Sequence, residues 1–411
     1  MFRKNFTFSD KIILSIIILD VLLFSTIPIF VAIGITRSCI FQIFVFLFLL
    51  LVNLNPTKQF YLSSIKINLT LFLAVSIILF FIISSFYINL EYNLELAAIA
   101  KLLLYPVVIS FFFYHIPRLI YKGDLLFEKF LNFWLYIAFI SIVAALLSMF
   151  LKLNFGSGND FIAVGFYYSP NIFAFIFTFT IPIIVYKFIV KRISIFSFLF
   201  LLIPSLFCLL FTYSRAGYLG FITALAIQLY KRSKILFVTT MVALAFVIST
   251  YVIQFAQAKG NISVFSRAEV MYTGYQMIVN NGMTKFLWGY GVNQSRTVFK
   301  NELSSAFGFY RRELGPHNLI LSLGIQFGML LTFSVFAFIL VLLFKASFHK
   351  NKLIHFNNAQ RINLSVAIVA GIVAQCMFED LVIYPEFFTM PLFLVFLGYL
   401  YCWVNNYKAT L

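Results

Sequence analysis

The sequence predicts an all-α integral membrane protein of about twelve transmembrane helices with one large loop on its outer face. Three observations predict it. Of 411 residues, 63% are hydrophobic and only 10% are charged, against about 25% charged in a soluble domain. Apolar runs close to the roughly 20 residues that cross a bilayer as a helix recur from end to end. Between those runs, segments rich in Lys and Arg alternate with segments almost free of them, the pattern of the positive-inside rule. The 56 Phe and 22 Tyr suit lipid-facing and interfacial positions. Residues 1–411 read as a single polytopic membrane domain with no soluble unit of domain size.

The first span, 12–35, follows Arg3 and Lys4. It is too long for a signal-peptide core and lacks a clear cleavage site, so it reads as retained. Spans 39–53, 68–90, 96–115, 126–151, 168–190 and 193–213 follow. The eighth, 216–230, is short for a full crossing, as is the second. Span 235–255 leads into the long loop, 256–317, and spans 318–344, 362–383 and 385–404 complete the chain. Cys39, Cys208, Cys376 and Cys402 all fall in spans, without metal-like spacing, and no disulfide is expected. Asp20 in span one and Lys101 in span four are intramembrane charges, suited to pairing with each other or to lining an ion path.

With the N-terminus inside, the cytoplasmic segments collect Lys58, Lys122, Lys187, Lys191, Arg192, Arg232, Lys350 and Arg361 among others, and the short outer loops hold only Arg37 and Lys152. Both termini are therefore expected in the cytoplasm. Most of the net charge of +17 is then topology signal facing anionic inner-leaflet lipid. The basic residues form no dense tract, which excludes a nucleic-acid reading. Topology does not explain the basic residues on the outer side: Arg215, Lys259, Arg267, Lys285, Arg296, Lys300, Arg311 and Arg312.

Arg215 stands in Ser214-Arg215-Ala216-Gly217 at the outer start of span eight. A snorkelling arginine is the bland reading. Ser214 can cap the helix, Gly217 lets a backbone or ligand approach closely, and the helix N-terminus adds its positive dipole end to the guanidinium. Together they make an anion site. Arg267 follows in Ser266-Arg267-Ala268, at the head of a stretch whose Val270, Tyr275, Met277 and Ile278 point to a helix on the membrane surface. Trp288-Gly289-Tyr290-Gly291 reads as a tight turn, with sugar stacking as the rival reading. Among four histidines, His317 alone lies outside, in Pro316-His317-Asn318 before span ten. It is a candidate general base, with Glu379-Asp380 as the rival base and a structural histidine as the bland reading. No spacing points to a metal site.

This ordered set resembles the O-antigen ligase and O-antigen polymerase superfamily of bacterial membrane glycosyltransferases. The resemblance rests on Ser214-Arg215-Ala216-Gly217, then Ser266-Arg267-Ala268, Trp288-Gly289-Tyr290-Gly291, Pro316-His317-Asn318 and Gly324-Ile325-Gln326-Phe327-Gly328, with support from Gly165-Phe166-Tyr167 and Pro170-Asn171. It covers about residues 160–345. It implies a GT-C-like, cofactor-free and metal-independent transferase of the inner membrane, working at the periplasmic face on an undecaprenyl-diphosphate-linked glycan. It also implies that Arg215 and Arg267 hold the diphosphate and that His317 serves the acceptor hydroxyl. Ser214, Gly217 and Asn318 accompany them as substrate-binding candidates. Arg311 and Arg312 add to the anion-attracting field. The acceptor is either the growing glycan, as in a polymerase that works with a chain-length regulator, or lipid A core, as in a ligase. A lipid-linked glycan flippase is a third reading, set against the gathering of the candidate residues at one face instead of the midplane.

Overall fold

The computed structural model describes residues 105, 108–122, 124–151, 163, 169–230, 232–235, 237–242, 262–280, 282–291, 294–307, 315–348, 356–383 and 389–408. The expected spans 12–35, 39–53 and 68–90, with Asp20 and Lys101, lie outside the described residues, as do 243–255, Arg311 and Arg312.

Among the described residues all regular structure is helical. A π-helical turn, Ser110–His115, leads into α1 (Ile116–Lys122), followed by α2 (Asp124–Phe150), α3 (Pro170–Ile189), α4 (Ile195–Phe211) and α5 (Arg215–Tyr230). The long loop carries α6 (Ile262–Asn280), α7 (Gly282–Trp288) and α8 (Gln294–Phe307). Then come α9 (Leu319–Phe327), α10 (Met329–Phe348), α11 (Phe356–Cys376) and α12 (Thr389–Lys408). Among the described residues four helices, within α2, α3, α10 and α11, are long and apolar enough to cross a membrane. Tyr136, Ile140, Leu147 and Phe150 of α2 and Phe196, Phe200, Ile203 and Phe207 of α4 are exposed on helical spacing. In water such stripes would be sticky patches; against lipid they are the expected outer face of a helical membrane protein.

The centre of the bundle is α3, in which every residue from Ile172 to Lys187 is buried. A helix that is apolar all round belongs in a core. It is flanked by α5 and α11, and small residues set the spacing. A Cβ on Gly217 would stand 2.5 Å from the Ala174 Cβ, one on Gly220 2.8 Å from the Gln375 Cβ, and one on Gly371 2.8 Å from the Ala224 Cβ. This close approach of backbones is how membrane helices associate without a hydrophobic drive between them. Gly217 opposite Ala174, with the Gln228 amide donating to the Pro182 carbonyl at 3.0 Å, sets α5 parallel to α3. The Trp134 indole donates to the Thr180 hydroxyl at 3.1 Å and the Lys187 ammonium to Glu128 at 3.0 Å, so α2 runs antiparallel to α3. The Thr178 hydroxyl donates to Gln375 Oε1 at 2.6 Å, which ties α3 to the antiparallel α11.

Three expectations are corrected. The tenth span is no single helix over 318–344: it breaks at Gly328 (φ 84), where any Cβ would collide with the Leu287 carbonyl. The 20 residues of α10 rise about 30 Å, long enough to cross by themselves, and α9 packs Leu319 and Leu323 in the bundle core and Ile325 in the core of the loop. The eleventh span ends at Cys376, followed by a turn and a 3-10 helix at Leu381–Ile383. The surface helix expected after Arg267 instead buries Val270, Met277 and Ile278 in a second core with Tyr290, Phe299, Leu303 and Ile325, leaving Tyr275 exposed.

The Trp288–Gly291 segment is the tight turn, with Gly289 (φ 73) and Gly291 (φ 80) in the left-handed region that favours glycine. Its Tyr290 and Gly291 N–H groups donate to the Ile325 and Gln326 carbonyls at 2.7 and 2.8 Å. Those are carbonyls that the break at Gly328 leaves without a helical partner. The glycine-rich turn of the loop therefore caps the end of α9. Tyr290 is buried in doing so, which removes it as a stacking platform for a sugar.

Candidate functional site

Three helix N-termini and one helix C-terminus meet at one end of the bundle. The α3 end begins with Ser169 as N-cap, its hydroxyl accepting from the Asn171 N–H at 3.3 Å, and Pro170 in the first turn. Ser214 caps α5: it is buried, and its hydroxyl accepts from the Gly217 N–H at 3.2 Å. Arg215 is thus the first residue of α5 and is exposed. Asn318 caps α9, its Oδ1 accepting from the Ile320 and Leu321 N–H groups at 3.0 and 3.1 Å, while its Nδ2 donates to the Met377 carbonyl at 2.7 Å. That last bond ties the start of α9 to the segment that follows α11.

The same segment carries Glu379 and Asp380, both buried. The Glu379 Oε2 lies 3.6 Å from the His317 Nδ1, in ion-pair range, and its Oε1 accepts from the Asn171 Nδ2 at 2.6 Å. The Ser322 hydroxyl donates to the Asp380 Oδ2 at 2.6 Å. His317 is one-third exposed and has φ 48. A non-glycine residue in the left-handed region is uncommon, and such residues gather at functional sites. The Asn318 cap and the contacts to Glu379 hold the turn in that shape.

The candidates divide as follows. Asn171, Glu379 and His317 form one connected row. Arg215 shares their end: Gly217, two residues on, packs against Ala174, one turn beyond Asn171. Arg267 lies in α6, whose Gly274 meets Pro316, with a Cβ there 2.9 Å from the Pro316 Cβ. Arg267 is two turns before Gly274, about 10 Å along the axis and on the same face; its side chain lies outside the described residues. Ser214 and Asn318 act as caps, and Gly217 packs against Ala174. Among the described residues, no three His, Cys, Asp or Glu side chains group as a metal would need.

The sequence raised Glu379 as a rival to His317, whereas the fold makes the two neighbours. In the sequence Asn171 stands out only as part of Pro170-Asn171, and nothing local marks Ser322. An apolar cavity of about 140 Å³ adjoins the row; Leu319 lines it two residues after His317, and Val382 two residues after Asp380.

At the other end of the bundle a different cluster closes on one carboxylate. Glu128 takes the Lys187 ammonium at 3.0 Å and the Tyr186 hydroxyl at 2.8 Å, with an Arg361 nitrogen at 3.9 Å. Lys187 and Arg361 are both buried.

The chain matches no protein-family model and no curated protein.

Proposed function

We propose that the protein is a membrane glycosyltransferase of the inner membrane that takes a glycan from undecaprenyl diphosphate and joins repeat units of a polysaccharide at the periplasmic face. The observation that carries the reading is the buried Glu379 beside the partly exposed His317, at the end of the bundle where Arg215 opens α5. In this reading the Glu128 end and both termini face the cytoplasm.

The acceptor hydroxyl oxygen forms the new bond to C1 of the donor sugar as the bond from C1 to the phosphate oxygen breaks. The leaving diphosphate departs with the electron pair, and attack from the opposite face inverts C1. Arg215 and Arg267 hold the diphosphate by fork-like contacts and stabilise its growing charge, so the reading calls for no metal. The hydroxyl proton passes to His317. Glu379, facing Nδ1, orients the ring so that Nε2 meets the acceptor and stabilises the imidazolium that forms. Asn171 holds Glu379 in turn. The apolar cavity beyond Leu319 suits the first units of the lipid carrier.

The test is transfer by purified protein in EDTA, with the host's undecaprenyl-diphosphate oligosaccharide offered alone or with lipid A core. A ladder from donor alone is expected. Product only with lipid A core would make the protein a ligase, and no product from intact protein and native donor would overturn the transferase reading.

A further inference from the structure

A second cavity, of about 580 Å³, lies at the end of the bundle away from His317 and shares no residue with the site above. Its size is that of a small-molecule pocket. Both α4 and α5 pack on α3, and the cavity lies between them. Phe198, Leu202 and Leu206 line it from α4, and Phe221, Leu225 and Leu229 from α5. Each set steps by four residues, so each is one helix face, and eight residues give a depth of about 12 Å. The inner wall is apolar down to Ile181 in the middle of α3, and two cations, Lys191 and Arg232, stand where α3 and α5 end. Both are exposed.

Lys191 holds its place against its own backbone preference. The Lys191 N–H donates to the Phe188 carbonyl at 3.1 Å and the Arg192 N–H to the Lys187 carbonyl at 2.8 Å. This is the helix ending whose left-handed position glycine ordinarily fills, yet Lys191 has φ 56. A side chain kept where glycine is easier points to work for that side chain.

We propose that this cavity holds an acyl chain of an anionic phospholipid, with Lys191 and Arg232 on the headgroup phosphate. The deep apolar body matches the chain and the cationic rim matches the phosphate. The positive-inside pattern turns this end toward the inner leaflet, where anionic lipid is concentrated and basic pockets between helices bind its headgroups. Were the two cations topology signal alone, the cavity would not discriminate between headgroups. The proposal is independent of the transfer reaction, since binding is read without any donor.

The test is native mass spectrometry of the full chain from detergent, with phosphatidylglycerol and phosphatidylcholine of identical chains supplied in equal amounts. Retention of phosphatidylglycerol over phosphatidylcholine by about thirtyfold is expected, the effect of two basic groups on a phosphate whose charge no choline offsets. Lys191→Gln with Arg232→Gln brings the ratio near one. Leu202→Trp with Leu225→Trp, which fills the body, removes retention of both lipids. Equal retention by the unmodified protein, an unchanged ratio in the glutamine variant, or undiminished retention by a folded tryptophan variant overturns the proposal.

Discussion

The two ends of the α3–α5–α11 bundle each hold a carboxylate among basic groups, and they are built on opposite plans. At one end the partly exposed Glu128 takes Lys187, Arg361 and the Tyr186 hydroxyl, and it is the two cations that are buried. At the other, Glu379 and Asp380 are the buried members, held by the neutral donors Asn171 and Ser322, while the basic groups His317 and Arg215 reach the surface. A charge cluster closed on itself fixes helices. A carboxylate buried behind an accessible imidazole leaves one face of that imidazole to a ligand. On the proposed reading the first arrangement serves stability and the second serves chemistry, and substitutions at the two ends should separate those outcomes.

The largest separation is expected from His317→Ala. Removing a general base costs about 10²–10⁴-fold in rate, so transfer should fall by that much while thermal unfolding in detergent stays unchanged. Glu128→Ala should do the reverse. Leaving Lys187 and Arg361 buried without their carboxylate costs about 3–5 kcal/mol, visible as a lower unfolding midpoint, with transfer per folded molecule preserved. If Glu128→Ala lowered transfer in fully folded protein, the division between the two ends would be wrong.

Glu379→Gln comes next. The glutamine Oε1 can keep the bond from Asn171, but its amide nitrogen would face the His317 Nδ1 and favour the other ring tautomer, lowering kcat by up to about 10⁴-fold, the cost of such a wrong tautomer. The KM for donor should hold steady, which distinguishes a positioning role from loss of binding. The smallest effect is expected from Asn318→Ala. Loss of an N-cap costs about 1 kcal/mol, measured by denaturation, with a modest fall in transfer as the His317 turn loosens.

Much of this was legible in the chain. Composition and apolar runs gave the helical membrane character, and α2 to α5 fall within a few residues of the expected spans. Ser214 is legible as a cap because a cap is a local device, fixed by the two or three N–H groups that follow it, whereas Asn318, expected to bind substrate, is found capping α9. What escaped was long-range. His317 and Glu379 are separated by α9, α10 and α11, so nothing local joins them, and in the sequence they stand as rivals. The break at Gly328 escaped for a similar reason. Hydropathy runs straight through it, and the Leu287 carbonyl packed against Gly328 lies 41 residues back in the chain. The turn at Trp288–Gly291 and the stretch Gly324–Gly328 are separate features in the sequence, and only the fold brings one to cap the other.

Arg215 gives the most direct measurement. Transfer from the undecaprenyl-diphosphate donor should be timed for Arg215→Ala beside the unmodified protein, each normalised to folded protein in the membrane. Normal insertion with transfer reduced about 10²–10³-fold is expected, the usual effect of removing one donor to a developing anion. Full activity in Arg215→Ala would contradict the assignment of this end of the bundle to the diphosphate, and with it the proposed reaction.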